Sequence, residues 1–378
     1  MKTLIAASLF AFVAGCTTGE TYNVSLRYHA GNVGPVSQLY VDHDENFLLA
    51  SSGDRLRSAT IERIGPNGSV DWKYVPQGDE PAETATIAIV DLFQNAENFY
   101  VACTNRYPAK RAGELSSTIH ILSDHGIPIS RSDITPPVNE YKGNVLVEKC
   151  LEVNGRTFIL GTIYGGLSFD KTTYPGTIYW LRTIDKVHNT TKDFMFSSNM
   201  KERAHVTNST MVDGKFLFVA RNGVFGELVM VDLDTGDIAQ RRVNSEARLV
   251  LDNNRISIVS MENGRIEVNH FDSTLKPTST ASIESDQDSY FIAAYAPETG
   301  QIAIVTALIG FRTSTLSLIE ANNESGTLSN AWSHRWAPAA MLSTASAKDS
   351  KGRRVFHFTQ FHEHEKRLDR AFLMLEKR

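Results

Sequence analysis

The chain has 378 residues, 42% of them hydrophobic and 21% charged, with 38 basic and 43 acidic side chains and 3 cysteines. Ordinary hydrophobicity and charge exclude a disordered chain, and three cysteines are too few for a disulfide-stapled scaffold. A net charge of −5 gives no basic footprint for nucleic acid, while the length suffices for two or three domains or for one large repeat fold.

The first element is Met1-Lys2-Thr3 followed by an apolar and small run from Leu4 to Gly15 and then Cys16. One positive charge before a short apolar stretch and small residues has the form of a secretory signal, too short to stay across a bilayer. Val13-Ala14-Gly15-Cys16 resembles the bacterial lipobox. That resemblance implies a leader of residues 1–15, cleavage before Cys16, and acylation of its thiol and new amine. Residues 16–20 then form a lipidated tether and residues 21–378 a single domain. Two or three acyl chains, each CH₂ worth about 0.8 kcal/mol on burial, anchor stably where one does not. Thr17 stands where Asp retains lipoproteins in the inner membrane under the enterobacterial sorting pattern, so the resemblance points to the outer membrane. The bilayer, reached through acylated Cys16, is thus one expected partner.

From Thr21 onward the pattern is strand, turn, strand. Phe47–Ala50, Phe99–Ala102, Phe158–Gly161, Phe216–Ala220, Ile256–Val259 and Ile302–Val305 are short, β-branched and aromatic, and bounded by turn residues. After each comes a variable loop and then a strand ending in a tight polar turn. These turns are Pro66-Asn67-Gly68, Asp124-His125-Gly126, Asp185-Lys186, Asp234-Thr235-Gly236, Asp272-Ser273-Thr274 and Asn322-Asn323-Glu324. A further strand leaves each turn. Six four-strand units result. Residues 340–347, 354–361 and 371–375 supply three strands of a seventh, and the N-terminal segment Tyr22–Tyr28 supplies the missing fourth.

A strand donated from the other end of the chain closes a ring and removes an open edge. A 15-residue leader leaves 363 of the 378 residues, about 52 for each of seven units. The expected fold is all-β, a seven-bladed β-propeller closed by an N-terminal strand; six or eight blades, and a pair of β-sandwiches, are the alternatives. With the lipobox, this architecture resembles the propeller lipoproteins of the bacterial envelope. The propeller lipoprotein of the outer-membrane barrel assembly machine repeats Asp-Gly followed by tryptophan. Here only Asn67-Gly68-Ser69-Val70-Asp71-Trp72 approaches that motif, and no specific family is assigned.

Strand direction alternates along each unit, so second-to-third-strand loops share one end of the ring with the connections between blades. The long loops lie there, and long loops on a rigid scaffold are where recognition residues concentrate. Candidates are Arg106, Tyr107 and Arg111 in blade two, Tyr164, Phe169 and Tyr174 in blade three, Phe225 in blade four, and Phe311 and Arg312 in blade six. Aromatic rings and arginine have the composition of interface hot spots. A non-catalytic scaffold that binds another envelope or surface protein is the leading expectation. A carbohydrate- or cell-wall-directed hydrolase or lyase is the alternative; it would use carboxylates near the axis such as Asp79, Glu80, Glu202, Glu246 and Asp286.

No nucleophile elbow, Walker loop or cofactor motif is found, and no cofactor is expected. His362 and His364 form the one metal-like pair, but zinc needs three or four converging ligands, and a solvated hairpin tip is the plainer reading. Cys103 and Cys150 fall in adjacent blades, where an exported protein permits a disulfide and two buried thiols are the competing arrangement.

Overall fold

β-Branched and aromatic runs favour the pleated backbone, and the computed structural model turns them into 30 strands with no helix among the described residues. Those residues are 22–30, 36–52, 58–66, 68–76, 85–108, 116–135, 144–164, 167–169, 172–174, 176–186, 188–200, 204–285, 289–297, 299–309, 314–322, 327–336, 341–349, 351–362 and 367–377.

The chain begins with β1 (Tyr22–Ala30). Blade 1 is β2 (Val36–Val41), β3 (Phe47–Ser51), β4 (Thr60–Ile64) and β5 (Val70–Tyr74). Blade 2 is β6 (Ala85–Gln94), β7 (Tyr100–Pro108), β8 (Ser116–Leu122) and β9 (Pro128–Ile134). Blade 3 is β10 (Asn144–Val153), β11 (Arg156–Tyr164), β14 (Thr177–Asp185) and β15 (Thr190–Ser197), with a small hairpin of β12 (Leu167–Phe169) and β13 (Thr172–Tyr174) in its loop. Blade 4 is β16 (His205–Val212), β17 (Lys215–Arg221), β18 (Gly226–Asp232) and β19 (Ile238–Val243). Blade 5 is β20 (Arg248–Asp252), β21 (Arg255–Glu262), β22 (Arg265–Phe271) and β23 (Pro277–Glu284). Blade 6 is β24 (Ser289–Tyr295), β25 (Gln301–Ile309), β26 (Ser314–Asn322) and β27 (Thr327–Trp336). Blade 7 is β28 (Met341–Lys348), β29 (Arg354–His362) and β30 (Arg367–Lys377), completed on its outer side by β1.

The fold is therefore the seven-bladed propeller that the sequence predicts. Its closure runs antiparallel from Tyr22 opposite Lys377 to Ala30 opposite Asp369. Each blade-to-blade seam holds its own apolar cluster, because neighbouring residues of one strand point to opposite faces. Phe216 and Phe218 fill the seam between blades 3 and 4, while Leu217 and Val219 fill that between blades 4 and 5.

Two turn designs recur at the end of the ring opposite the long loops. Two-residue turns have both central residues at positive φ, as at Asn154-Gly155 and Asp213-Gly214, the conformation that matches strand twist. In five-residue turns the first side chain accepts the N–H of the third and fifth residues. Asp42 does so for Asp44 and Asn46, Asn95 for Glu97 and Phe99, Asp272 for Thr274 and Lys276, and Asp349 for Lys351 and Arg353. An acceptor oxygen two and four residues ahead of its donors replaces the backbone bonds a tight bend leaves unmade.

Bulges in the innermost strands create polar links between blades 1 to 5. Gln38 Nε2 donates to Val90 O at 2.9 Å, and Asp91 Oδ2 accepts from Cys150 N at 3.0 Å. Glu148 Oε2 accepts from Val206 N at 3.3 Å, and Asn208 Oδ1 from Leu249 N at 2.8 Å. Pairing shifts between Val36 and Gln38, Ile89 and Asp91, Val147 and Lys149, and Val206 and Asn208 set these side chains toward the next blade. Outer strands make links of the same sense. Trp72 Nε1 donates to Asp124 O at 2.9 Å, and Lys192 Nζ to Leu233 O at 2.7 Å.

Candidate functional site at the loop-rich end

The predicted recognition residues are distributed around the ring rather than gathered. Arg106 and Tyr107 close β7, half-buried, opposite Ile87 and Thr86. Tyr164 ends β11, and Phe169 and Tyr174 belong to the small hairpin, where Leu167 pairs with Tyr174 and Phe169 with Thr172. Phe225 sits in the loop between β17 and β18, packed on the blade 3–4 core, with the Arg242 guanidinium 4.3 Å above its ring. Arg111, Phe311, Arg312 and His364 lie outside the described residues, as do Asp79, Glu80, Glu202 and Asp286. His362 is the last residue of β29, opposite Arg367. Among the described residues, no group of three His, Cys, Asp or Glu side chains converges as a metal site.

Phe225 borders a groove of about 970 Å³ between blades 4 and 5. Blade 4 contributes Phe225, Arg241 and Arg242, and blade 5 contributes Ser260, Glu262 and Phe271. Arg241 lies 5.8 Å from the Phe271 ring, so each arginine of β19 is laid against an aromatic face. Asn244 Nδ2 donates to Glu262 Oε2 at 2.7 Å across the cleft. Val224, at the tip of the Phe225 loop, is 72% exposed, the most exposed of the large apolar side chains among the described residues. The Asn222 side chain holds that tip by accepting the N–H groups of Val224 and Phe225.

Two carboxylates that do not line the groove, Glu227 and Glu148, are fixed by the scaffold between blades 3 and 4. Glu227 is 1% exposed and accepts from Tyr179 Oη, Ser198 Oγ, Asn199 N and Asn199 Nδ2 at 3.1, 2.9, 3.2 and 2.6 Å. Burial, with the Glu227 charge beside it, pushes the Tyr179 phenol up, so that hydroxyl stays a donor. Glu148 is also buried, accepting from Thr162 Oγ1 at 2.9 Å and standing 3.5 Å from His205 Nδ1. Glu246 pairs with Arg221 at 3.1 Å and remains half-exposed. Sequence reading missed Glu148 and Glu227, because a lone carboxylate within a strand looks like a solvated residue. The signal available was the apolar company of each, in Val145-Leu146-Val147 and Leu228-Val229.

Cys103 and Cys150 are free, buried thiols in one cluster across the blade 2–3 seam. A hydrogen bond to Cys150, then burial, pushes the Cys103 thiol up, the environment of an inert packing residue.

No protein-family model and no curated protein sequence matches this chain. Among solved structures, the fold is similar to a mutant NanB sialidase from Streptococcus pneumoniae, with TM-score 0.51, 9% identity, and 79% of this chain and 70% of that one covered. The S. cerevisiae core factor gives TM-score 0.50 and 9% identity over 97% of this chain and 62% of its own. An acylaminoacyl peptidase gives TM-score 0.50 and 10% identity over 90% of this chain, which spans about half of the peptidase, 51%. At such identities the likeness is one of fold alone, with no shared site residues implied.

Proposed function

We propose that this chain is a membrane-tethered lipoprotein, of the periplasm or the cell surface, whose propeller is a non-catalytic scaffold for another envelope or surface protein. The observation that carries the reading is the cleft between blades 4 and 5. A protruding Val224, an aromatic Phe225 and two ring-stacked arginines stand there on rigid strands, the side-chain chemistry that dominates binding energy at protein interfaces. Ring stacking also pre-orders the arginines, so less rotamer entropy is lost on docking. Glu148 and Glu227 support it further, since their oxygens are taken by scaffold donors. The lipobox at Cys16 supplies the tether.

Crosslinking of the intact protein in its own cells tests the reading. Capture of one stoichiometric envelope partner, reduced at least about tenfold by Val224→Asp or Phe225→Ala, is the expected result. Turnover of a cell-wall glycan by the purified protein, abolished by Glu246→Gln, would replace the scaffold with a hydrolase. For the anchor, Cys16→Ala should move the protein from the membrane to the soluble fraction, and continued membrane retention would sink that part.

A further inference from the structure

Arg248 is the first residue of β20, the innermost strand of blade 5, at the loop-rich end of the ring. Its guanidinium lies 5.3 Å over the Phe291 ring of blade 6, and one N–H goes to Ala247 O at 3.2 Å. Among the described residues no carboxylate comes within ion-pair distance of it. Glu246, two residues away, is committed to Arg221 at 3.1 Å. Burial, with the Arg221 charge adding to it and the Glu246 charge only partly opposing it, disfavours the charged form of Arg248.

A guanidinium cannot shed its proton at any ordinary pH, and it carries several N–H donors in a planar fork. Held half-buried with no directly paired carboxylate among the described residues, it costs the fold free energy that an anion would return. The ring beneath it and the carbonyl beside it fix the plane of that fork. Arg221 adds a second positive charge nearby, and the exposed Tyr290 adjoins Phe291 in the next blade. The buried cores of the two seams beside it are filled by Leu249 and Val250, while Arg248 caps the Phe291 ring at the edge of the blade 5–6 seam.

We propose that Arg248 is the anchor of an oxyanion-binding site at the loop-rich end, taking a carboxylate or a phosphate group on its free N–H donors, with Arg221 as the neighbouring charge. This site is independent of the scaffold reading: a small oxyanion would bind whether or not a protein partner does.

The test is titration of the full-length purified protein with sodium acetate and with sodium phosphate at constant ionic strength, chloride being the balancing salt. Arginine side-chain NMR resonances and thermal midpoint are followed. Saturable shifts at Arg248 with at least one oxyanion, absent with chloride, are expected; saturation by acetate identifies a carboxylate site and saturation by phosphate a phosphate site. Arg248→Gln should abolish the saturable response. Glu246→Gln frees the Arg221 guanidinium and should tighten binding at least about threefold, which tests the site in a variant that keeps Arg248. The proposal is overturned if chloride produces the same response, if neither oxyanion saturates, or if a folded Arg248→Gln protein responds as the parent does.

Discussion

Replacing Gly126 with alanine should destabilise the ring by an amount that depends on a tryptophan in another blade. Gly126 has φ +72°, and a Cβ built there meets Trp72 Cδ2 at 2.5 Å and Cε3 at 2.6 Å. Two penalties add. An L side chain in the left-handed region costs about 1–2 kcal/mol, and forcing a carbon into an occupied site costs about 1–3 kcal/mol. Gly126→Ala alone should therefore cost about 2–5 kcal/mol. In a Trp72→Ala background the indole is gone and only the backbone part, about 1–2 kcal/mol, remains. Trp72→Ala itself loses half-buried ring packing and the bond to Asp124 O, which sets the reference for the cycle. Urea unfolding of the four proteins, followed by circular dichroism, gives the coupling. Equal cost of Gly126→Ala in both backgrounds would refute the claim that the blade 1 tryptophan closes the blade 2 turn.

Three further outcomes follow from the same kind of reasoning. Burial, with Arg131 adding to it, pushes His120 down to about 4, so it stays neutral in the fold while the unfolded chain takes a proton near 6.5. Stability should fall as pH drops from about 6.5 to about 4, and His120→Asn should flatten that limb of the pH–stability curve; an unchanged slope would contradict the assignment. Burial opposes ionisation of Asp42, but hydrogen bonds from Asn46 and Tyr100 and the Arg63 charge outweigh it and hold the carboxyl below its ordinary value. Its contribution is present above about pH 4 and lost as pH falls; Asp42→Asn, which keeps the turn acceptor that Asn95 provides in blade 2, should cost about 1–3 kcal/mol at neutral pH in chemical denaturation. Deleting residues 22–30 exposes the edge of β30 along its pairing from Asp369 to Lys377, and the truncated protein should aggregate in light scattering at concentrations where the parent is clear; a monomeric, cooperatively unfolding product would show that closure is dispensable.

Much of the fold was legible because a propeller writes itself into sequence as period and turn chemistry. Phe47–Ala50 and its counterparts have strand composition, the polar turns punctuate them, and the three-strand remainder at the C-terminus demanded a partner that only Tyr22–Tyr28 could be. The links between blades were not legible. Whether Asp91 bonds Cys150 or water depends on a one-residue bulge at Val90, and register is invisible to a pattern of apolar residues. The site divides in the same way. Phe225 could be named as an aromatic on a loop, whereas its stacking on Arg242 required knowing that β19 returns beside that loop. Arg248 gives no sequence signal at all, since an arginine at a strand end ordinarily lies in water. The lone Asn67–Trp72 motif proved informative for packing: Trp72 rests on the turn of the next blade, a role that one copy suffices to fill.

With the lipid proposed on Cys16, the direction of β1 would set which way the ring stands on a membrane. Tyr22 pairs with Lys377, where β30 runs out at the end that carries the tight turns, and Ala30 pairs with Asp369 at the opposite end. Five residues lie between Cys16 and Tyr22, and the six Cα steps reach at most about 20 Å. A lipid on Cys16 would therefore hold the disc with its turns toward the headgroups and its loops outward, like a dish aimed away from its mount. Val224, Phe225 and Arg248 would then meet whatever approaches from the aqueous side, at a height set by the depth of the ring.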